Sequence, residues 1–428
     1  MKNNQLPVAI IGGGPVGMAA AAQLAAAGKD FLLFEAASEI GANFLDYGHV
    51  RLFSTWRYNM DAAAKELFQT HGIPLPDEDH LPLGREIVTD YLKPLGKLPE
   101  LAPYLHLNSK VVHLSRKGLD KMKDHNREER PFLLVVEHDG SYTEFEAEAV
   151  IDATGTWRNP NPLVSGGIPQ KDVSIHSRLP DILNKDRVAF SGKNIAVVGS
   201  GHSAFNSLLD LLALQKNAPE TTITWIVRGE LTPALFGGGA SDQLAARGEL
   251  GARIKEIIGQ GGVKIIPECF IRKIDRNEDG QILLTAIQKD AEKTIGPFDE
   301  VIANTGSRPD FSFLGEIRYA FDSSLESVSA LAPLIDPNVH SCGTVRPHGE
   351  KELRQPEKNF YIVGAKSYGR APTFLLATGY EQVRSVVAYL TGDLEAANRV
   401  ELSLPETGVC RSRTVAVNLI GKPSVVCC

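Results

Sequence analysis

The sequence predicts an α/β protein with two parallel-sheet domains of one design, the second inserted into the first. Three observations carry this. Two separate runs read strand, glycine turn, helix, strand; each is followed by a β-rich stretch that closes on a Thr-Gly turn; and the composition is ordinary for a globular protein. At 428 residues, with 43% apolar and 23% charged side chains, the chain is long enough for two or three domains, each with its own core.

The first run covers residues 8–35. Val8–Ile11 is a short apolar stretch, as expected of a buried parallel strand. Gly12, Gly14 and Gly17 follow with the spacing of a dinucleotide fingerprint. The first glycine permits a tight turn, the second admits a pyrophosphate to the backbone, and the third lets helix pack on strand. Pro15 opens a helix running to about Ala27, whose free N–H groups and positive dipole end would face that pyrophosphate. Asp30–Phe34 reads as the next strand, and Glu35 at its tip is placed to bond a ribose 2′-hydroxyl. The domains are therefore expected to be Rossmann-like.

The second run starts with Lys193–Val198 and continues through Gly199, Gly201 and Ala204, alanine still allowing close helix packing. His202 and Ser203 sit in the turn, where they would face phosphate, although His202 reads equally as a loop residue. The following strand, Thr222–Val227, ends in Arg228, whose guanidinium suits a 2′-phosphate and so favours NADPH over NADH. Glu230 offers the alternative of a bare ribose.

The repeat supports duplication. In the first half it is Phe132–His138, a turn at Asp139-Gly140, Ser141–Ala147, then residues 149–157 with Thr154 and Gly155. In the second it is Phe270–Asp275, Gln281–Gln288 and residues 300–310 with Thr305 and Gly306. The expected boundaries are 1–160 with 300–400 for one domain, 161–299 for the other, and a cysteine-containing tail at 401–428.

From about Pro7 to Asp393 these residues resemble the two-dinucleotide-binding-domain flavoproteins, close to the flavin-containing and Baeyer–Villiger monooxygenases, with a glutathione-reductase-like layout. The resemblance implies FAD at the first fingerprint and NADPH at the second, with Thr154, Gly155 and Gly306 among the cofactor-binding positions. Residues 360–390 are similar to the final flavin-binding strand and helix of that group. This implies Gly364 under the ribityl chain, Thr373 at the flavin, and a helix from near Pro372 aimed at the isoalloxazine. Ala365 stands where relatives carry an acid. The linker signature of those monooxygenases is degraded: His176 is present, but Gln170, Asp172 and Pro180 replace its aromatic, glycine and second aromatic. His176 is accordingly read as a linker histidine.

In the loop after Glu35, Arg57 and Asn59 are the candidate catalytic residues, for holding nicotinamide or stabilising a peroxide oxyanion. The competing reading puts Trp56 in the core and Arg57 in a helix cap or surface pair. Lys366, Tyr368 and Arg370 are further candidates by position alone.

The implied reaction passes hydride from NADPH to FAD, then uses O2 to form a C4a-peroxyflavin that oxygenates a small-molecule substrate. The alternative is a reductase passing electrons to a thiol- or metalloid-linked acceptor through the C-terminal cysteines. A third reading, a nucleotide-dependent sensor, is disfavoured by two intact nucleotide sites.

The five cysteines lie at 269, 342, 410, 427 and 428, so the first 268 residues hold none, and neither CxxC nor CxxxxC occurs. Cys427-Cys428 resembles the vicinal pair of mercuric reductases; a frayed tail is the blander account. This usage fits a reducing, cytoplasmic setting.

A net charge of −7 gives no footprint for nucleic acid or an acidic membrane surface. Residues 8–27 are apolar, but Gly-Gly-Gly-Pro breaks any spanning helix. No metal site is expected: Asp275 to Gly280 resembles the start of a calcium loop but reads as a hairpin turn. Arg116 to Arg130, mixed with acids, reads as a solvated loop, and the Pro-rich stretches 74–103 and 157–169 read as connections. A homodimer is the default assembly.

Overall fold

The computed structural model describes residues 6–169, 175–236, 245–259, 261–339, 346–372 and 374–402. The chain divides into two units: one ends at Asn159 and resumes at Arg308, and the other is Pro160–Ser307.

The first unit is built on a sheet of five strands in the order β15 (Phe360–Ile362), β7 (Ala149–Asp152), β1 (Val8–Ile11), β2 (Phe31–Phe34), β3 (Leu105–His106), each neighbouring pair parallel. Parallel strands need a crossover, and helix Pro15–Ala26 supplies it between β1 and β2. That helix is buried from Pro15 to Ala22 and again at Leu24, because it packs against β1, β2 and the helices Ala62–Thr70 and Leu376–Leu390. An antiparallel meander follows, of β4 (Lys110–Arg116), β5 (Phe132–His138) and β6 (Ser141–Ala147). Asp139 at φ 48° and Gly140 at φ 75° turn β5 into β6, the positive-φ pair that a two-residue hairpin requires.

The second unit repeats the plan with a parallel sheet ordered β10 (Lys264–Ile266), β9 (Thr222–Ile226), β8 (Asn194–Val198), β14 (Glu300–Ala303). Helices His202–Gln215 and Ala245–Gly259 accompany it. Its meander is β11 (Cys269–Arg276), β12 (Ile282–Gln288) and β13 (Ala291–Phe298). Asn277 closes the β11–β12 hairpin through hydrogen bonds with Gln281, as the sequence implied for the calcium-loop look-alike.

Four expectations need correction. The boundary at 300 is too early: β14 pairs with β8, so the second unit runs to Ser307. Residues 84–96 are not a plain connection but a helical segment that buries Ile87, Val88, Tyr91, Leu92 and Leu95. Its middle, Ile87–Leu92, widens to a π-helical turn just before Pro94, which cannot donate to the preceding turn. The basic cluster is not uniformly solvated either. Arg116 and Arg127 are buried around the carboxylate of Glu357, at 2.8 Å and 2.7 Å. The helix expected near Pro372 begins at Leu376 instead. Among the described residues no helix is long and apolar enough to cross a membrane.

Candidate functional site

A cavity of about 310 Å³ opens in the first unit where β1, β7 and β15 end and two helices begin. Ligands of open α/β sheets bind outside the carboxyl ends of the strands, so the place follows from the topology. Gly12, Gly14, Pro15, Glu35, Thr154, Gly155 and Gly364 all line it. The glycines are there for space. Gly12 has φ +104°, and a Cβ on it would lie 2.8 Å from the Ala153 carbonyl oxygen. Gly17 is one layer below, where a Cβ would come within 1.9 Å of the Gly12 oxygen. Gly14 caps the Pro15–Ala26 helix without a side chain and has open space where a Cβ would stand.

Glu35 leaves the tip of β2 and accepts from Gly13 N at 2.6 Å and Ala37 N at 2.8 Å, fixing an acid at the cavity edge. On the opposite side the chain turns at Gly364, φ +68°, against Val16. Gln382 accepts from Gly364 N at 2.7 Å, and its amide nitrogen meets buried His348 at 2.9 Å. Burial lowers the pKa of His348 from its ordinary value. Leu375 and Leu376 bring the start of the last long helix to the same cavity, so two helix N-termini converge there.

Phe44, Tyr47, Phe53, Trp157 and Phe374 give the cavity an aromatic wall that the sequence did not single out. The Tyr47 and Trp157 rings are 4.6 Å apart, and Trp157 Nε1 donates to Asp46 at 2.9 Å, clamping the end of the short helix Ala42–Leu45 to the loop after β7. The ATGTW run placed Trp157 beside the site in sequence, but nothing in the pattern showed which loop rings turn inward.

Asn59 lines the cavity, fully buried; its amide donates to the Ser54 carbonyl at 2.7 Å and accepts from Ser54 Oγ at 2.9 Å. Arg57 does not line it. Its guanidinium is half-exposed and held by Glu78 at 3.0 Å and Asp79 at 2.8 Å, the surface pairing that sequence left as the alternative. Trp56 is core, at 2% exposure. Lys366 and Tyr368 are buried beneath the site, whereas Arg370 is exposed. Thr373 falls outside the described residues, as do Gln170, Asp172 and Cys342, Cys410, Cys427 and Cys428.

The second fingerprint has the same glycine logic. Gly199 has φ +131°, and a Cβ there would lie 2.2 Å from the Asn304 carbonyl oxygen. Gly201 caps helix His202–Gln215 and has open space where a Cβ would stand. Ala204, in the first turn of that helix, is fully buried, His202 is exposed, and Ser203 is half-buried. Arg228 lies just beyond β9, exposed and without an ion-pair partner among the described residues. Gly306 has φ +81°, and its oxygen accepts from Asn161 N at 2.9 Å. His176 bonds Glu300 at 2.9 Å and pairs its backbone with β14, as a linker strand does.

No curated protein sequence matches the chain. Solved structures similar in fold include bacillithiol disulfide reductase from Bacillus cereus, with TM-score 0.65 and 19% identity over 91% of this chain and 99% of that one. The ornithine N-hydroxylase of Kutzneria sp. 744, solved with reduced FAD, NADP+ and L-ornithine, aligns at TM-score 0.61 and 16% identity, covering 90% of this chain and 99% of that chain. The cadaverine monooxygenase of the Erwinia amylovora desferrioxamine pathway, bound to FAD, gives 0.64 and 15%, covering 94% and 99%. These likenesses show the fold, in agreement with the expected two-domain layout. The family model for pyridine nucleotide-disulphide oxidoreductases matches residues 9–332, about three-quarters of the length, and the chain belongs to that family.

Proposed function

We propose that this protein is an FAD-dependent monooxygenase that takes its electrons from NADPH and oxygenates a small molecule. The overall balance would be NADPH, a proton, O2 and substrate giving NADP+, water and oxygenated substrate. The observation that carries the reading is the cavity of the first unit. It combines a glycine floor, two helix N-termini, the Glu35 carboxylate and an aromatic wall, and among the described residues no cysteine lines it.

The residues fit FAD. Gly12, Gly14 and the uncapped start of helix Pro15–Ala26 leave backbone N–H groups for the pyrophosphate, and Glu35 would bind the adenosine ribose. Gly364 and the N-terminus at Leu376 would face the ring end, where a positive dipole favours negative charge. Bound there, FAD supplies two-electron transfer and activation of O2. The chain contributes alignment, exclusion of water by the aromatic wall, and Asn59 as a polar group beside the reacting region. In the second unit, Gly199, Gly201, His202, Ser203 and Ala204 would hold the pyridine nucleotide, with Arg228 choosing the 2′-phosphate.

A second reading, a thiol- or metalloid-directed reductase, draws on the family description and the disulfide reductases among the fold neighbours. Against it, a dithiol relay needs sulfur beside the flavin, and the first 268 residues hold none.

Rapid mixing decides between them. Anaerobic protein is reduced with NADPH or NADH, then mixed with oxygenated buffer and candidate amines, sulfides or ketones. Oxygenated product in proportion to NADPH is the expected result, and faster reduction by NADPH than NADH supports the role of Arg228. Hydrogen peroxide alone with every substrate class would reject the monooxygenase reading.

A further inference from the structure

Asp152 and Lys366 form an ion pair with both side chains at 0% exposure, Nζ to Oδ2 2.6 Å. A buried pair of this kind is no more stabilising than an apolar pair of the same shape, so its presence asks for another role. Both charges converge on one atom at the cavity wall. Thr154 Oγ1 donates to Asp152 Oδ1 at 2.7 Å and accepts from Lys366 Nζ at 3.1 Å. The Thr154 backbone N–H also donates to Asp152 Oδ1, at 3.1 Å. The Phe313 and Phe311 rings lie 4.7 Å and 5.2 Å from the ammonium and hold it in place.

A threonine hydroxyl has one proton and two lone pairs. Here the proton goes to the aspartate and one lone pair to the lysine. The arrangement cannot reverse while the pair is charged, because a carboxylate has no proton to give and an ammonium has no lone pair to offer. One lone pair remains, and Thr154 lines the cavity.

We propose that Asp152 and Lys366 are positioning residues that hold Thr154 as a one-way acceptor, so that this stretch of wall takes a hydrogen-bond donor from the bound dinucleotide. The chemical class is a polyol or sugar hydroxyl; a phosphate oxygen, which only accepts, is turned away from this position. The assignment rests on the FAD reading of the cavity. It gives the ion pair a task exercised through a neighbour, and Lys366 touches no ligand itself.

The test is a double-mutant cycle on FAD affinity. Full-length protein is stripped of flavin and titrated with FAD, following quenching of flavin fluorescence, with thermal melts as a check of folding. Thr154→Val should weaken FAD by about tenfold, and Thr154→Ser should stay within about threefold of wild type. The neutral pair Asp152→Leu with Lys366→Met should weaken FAD about as much as Thr154→Val. Adding Thr154→Val to it should then cost less than about threefold more, since an unpositioned hydroxyl has little left to lose. Multiplying losses, or a Thr154→Val protein that binds FAD like wild type, would overturn the inference. Thr154→Val keeps the ion pair, so it decides alone if the neutral pair does not fold. Wild type that takes up no FAD overturns the functional reading as a whole; uptake with Thr154→Val unchanged overturns this inference only.

Discussion

A methyl group on Gly17 would stand 1.9 Å from the carbonyl oxygen of Gly12, a backbone atom that cannot swing aside. Gly17→Ala must therefore push helix Pro15–Ala26 off β1 or deform the turn. It should lower stability by about 1–3 kcal/mol and leave the purified protein depleted of flavin, read from a melt and the visible spectrum. Wild-type flavin content in a folded Gly17→Ala protein would contradict the packing account. Arg57 is the opposite case. Sequence offered it as a catalytic cation, but its side chain is half-exposed and satisfied by two acids on the surface. Arg57→Ala should keep flavin content and turnover within about twofold of wild type, the usual consequence of losing an exposed pair. A larger loss of turnover at full flavin content would restore it to the site.

Two elements carry pH dependence of opposite sign. Asp61 caps helix Ala62–Thr70 by accepting from Ala64 N, and it also accepts from Gln23. Burial raises its pKa to about 6, against which those hydrogen bonds work. A folded value above the unfolded one favours the protonated form, so this contribution is complete below about pH 4 and is lost as pH rises through about 6. Asn caps a helix about as well as Asp, so Asp61→Asn should flatten stability across that window, where wild type declines by up to about 3 kcal/mol. An unchanged slope in denaturant melts would refute it. Glu357 behaves in reverse. Burial disfavours its charge, but hydrogen bonds from Arg127 and Arg116 outweigh burial and hold its pKa below the ordinary value. That contribution is present above the unfolded carboxylate value, about 4.3, and fails as pH falls further. Glu357→Gln strands two buried guanidiniums and should cost about 3–5 kcal/mol at pH 7. An acid melt whose low-pH limb is unaltered by Glu357→Gln would count against the assignment.

At the scale of the molecule, the strands and glycine turns were legible because each follows from a local rule. The apolar run at 195–198, closed by a glycine turn, reads as a strand buried on both faces, and Gly199 is required by one carbonyl. The meander turn at Asp139-Gly140 was equally local. What sequence could not show depends on contacts distant along the chain. Arg116 and Arg127 looked solvated because Glu357 lies more than two hundred residues away. Trp157 and Phe44 became cavity wall only when their loops met, and Lys366 found Asp152 across 214 positions. The same distinction bears on the thiols. A relay to a disulfide or metalloid acceptor requires sulfur next to the flavin, and among the described residues none lines the cavity, so the C-terminal cysteines are the thiols to test. If the protein is a monooxygenase, those cysteines are dispensable for both halves of the reaction. Replacing Cys410, Cys427 and Cys428 with serine should leave the rate of NADPH-driven flavin reduction and the yield of oxygenated product within about twofold of wild type, as for substitutions away from a site. Flavin reduction that persists while turnover with a thiol or metalloid acceptor disappears would instead place those cysteines in the electron path. The cavity would then be the donor end of a reductase.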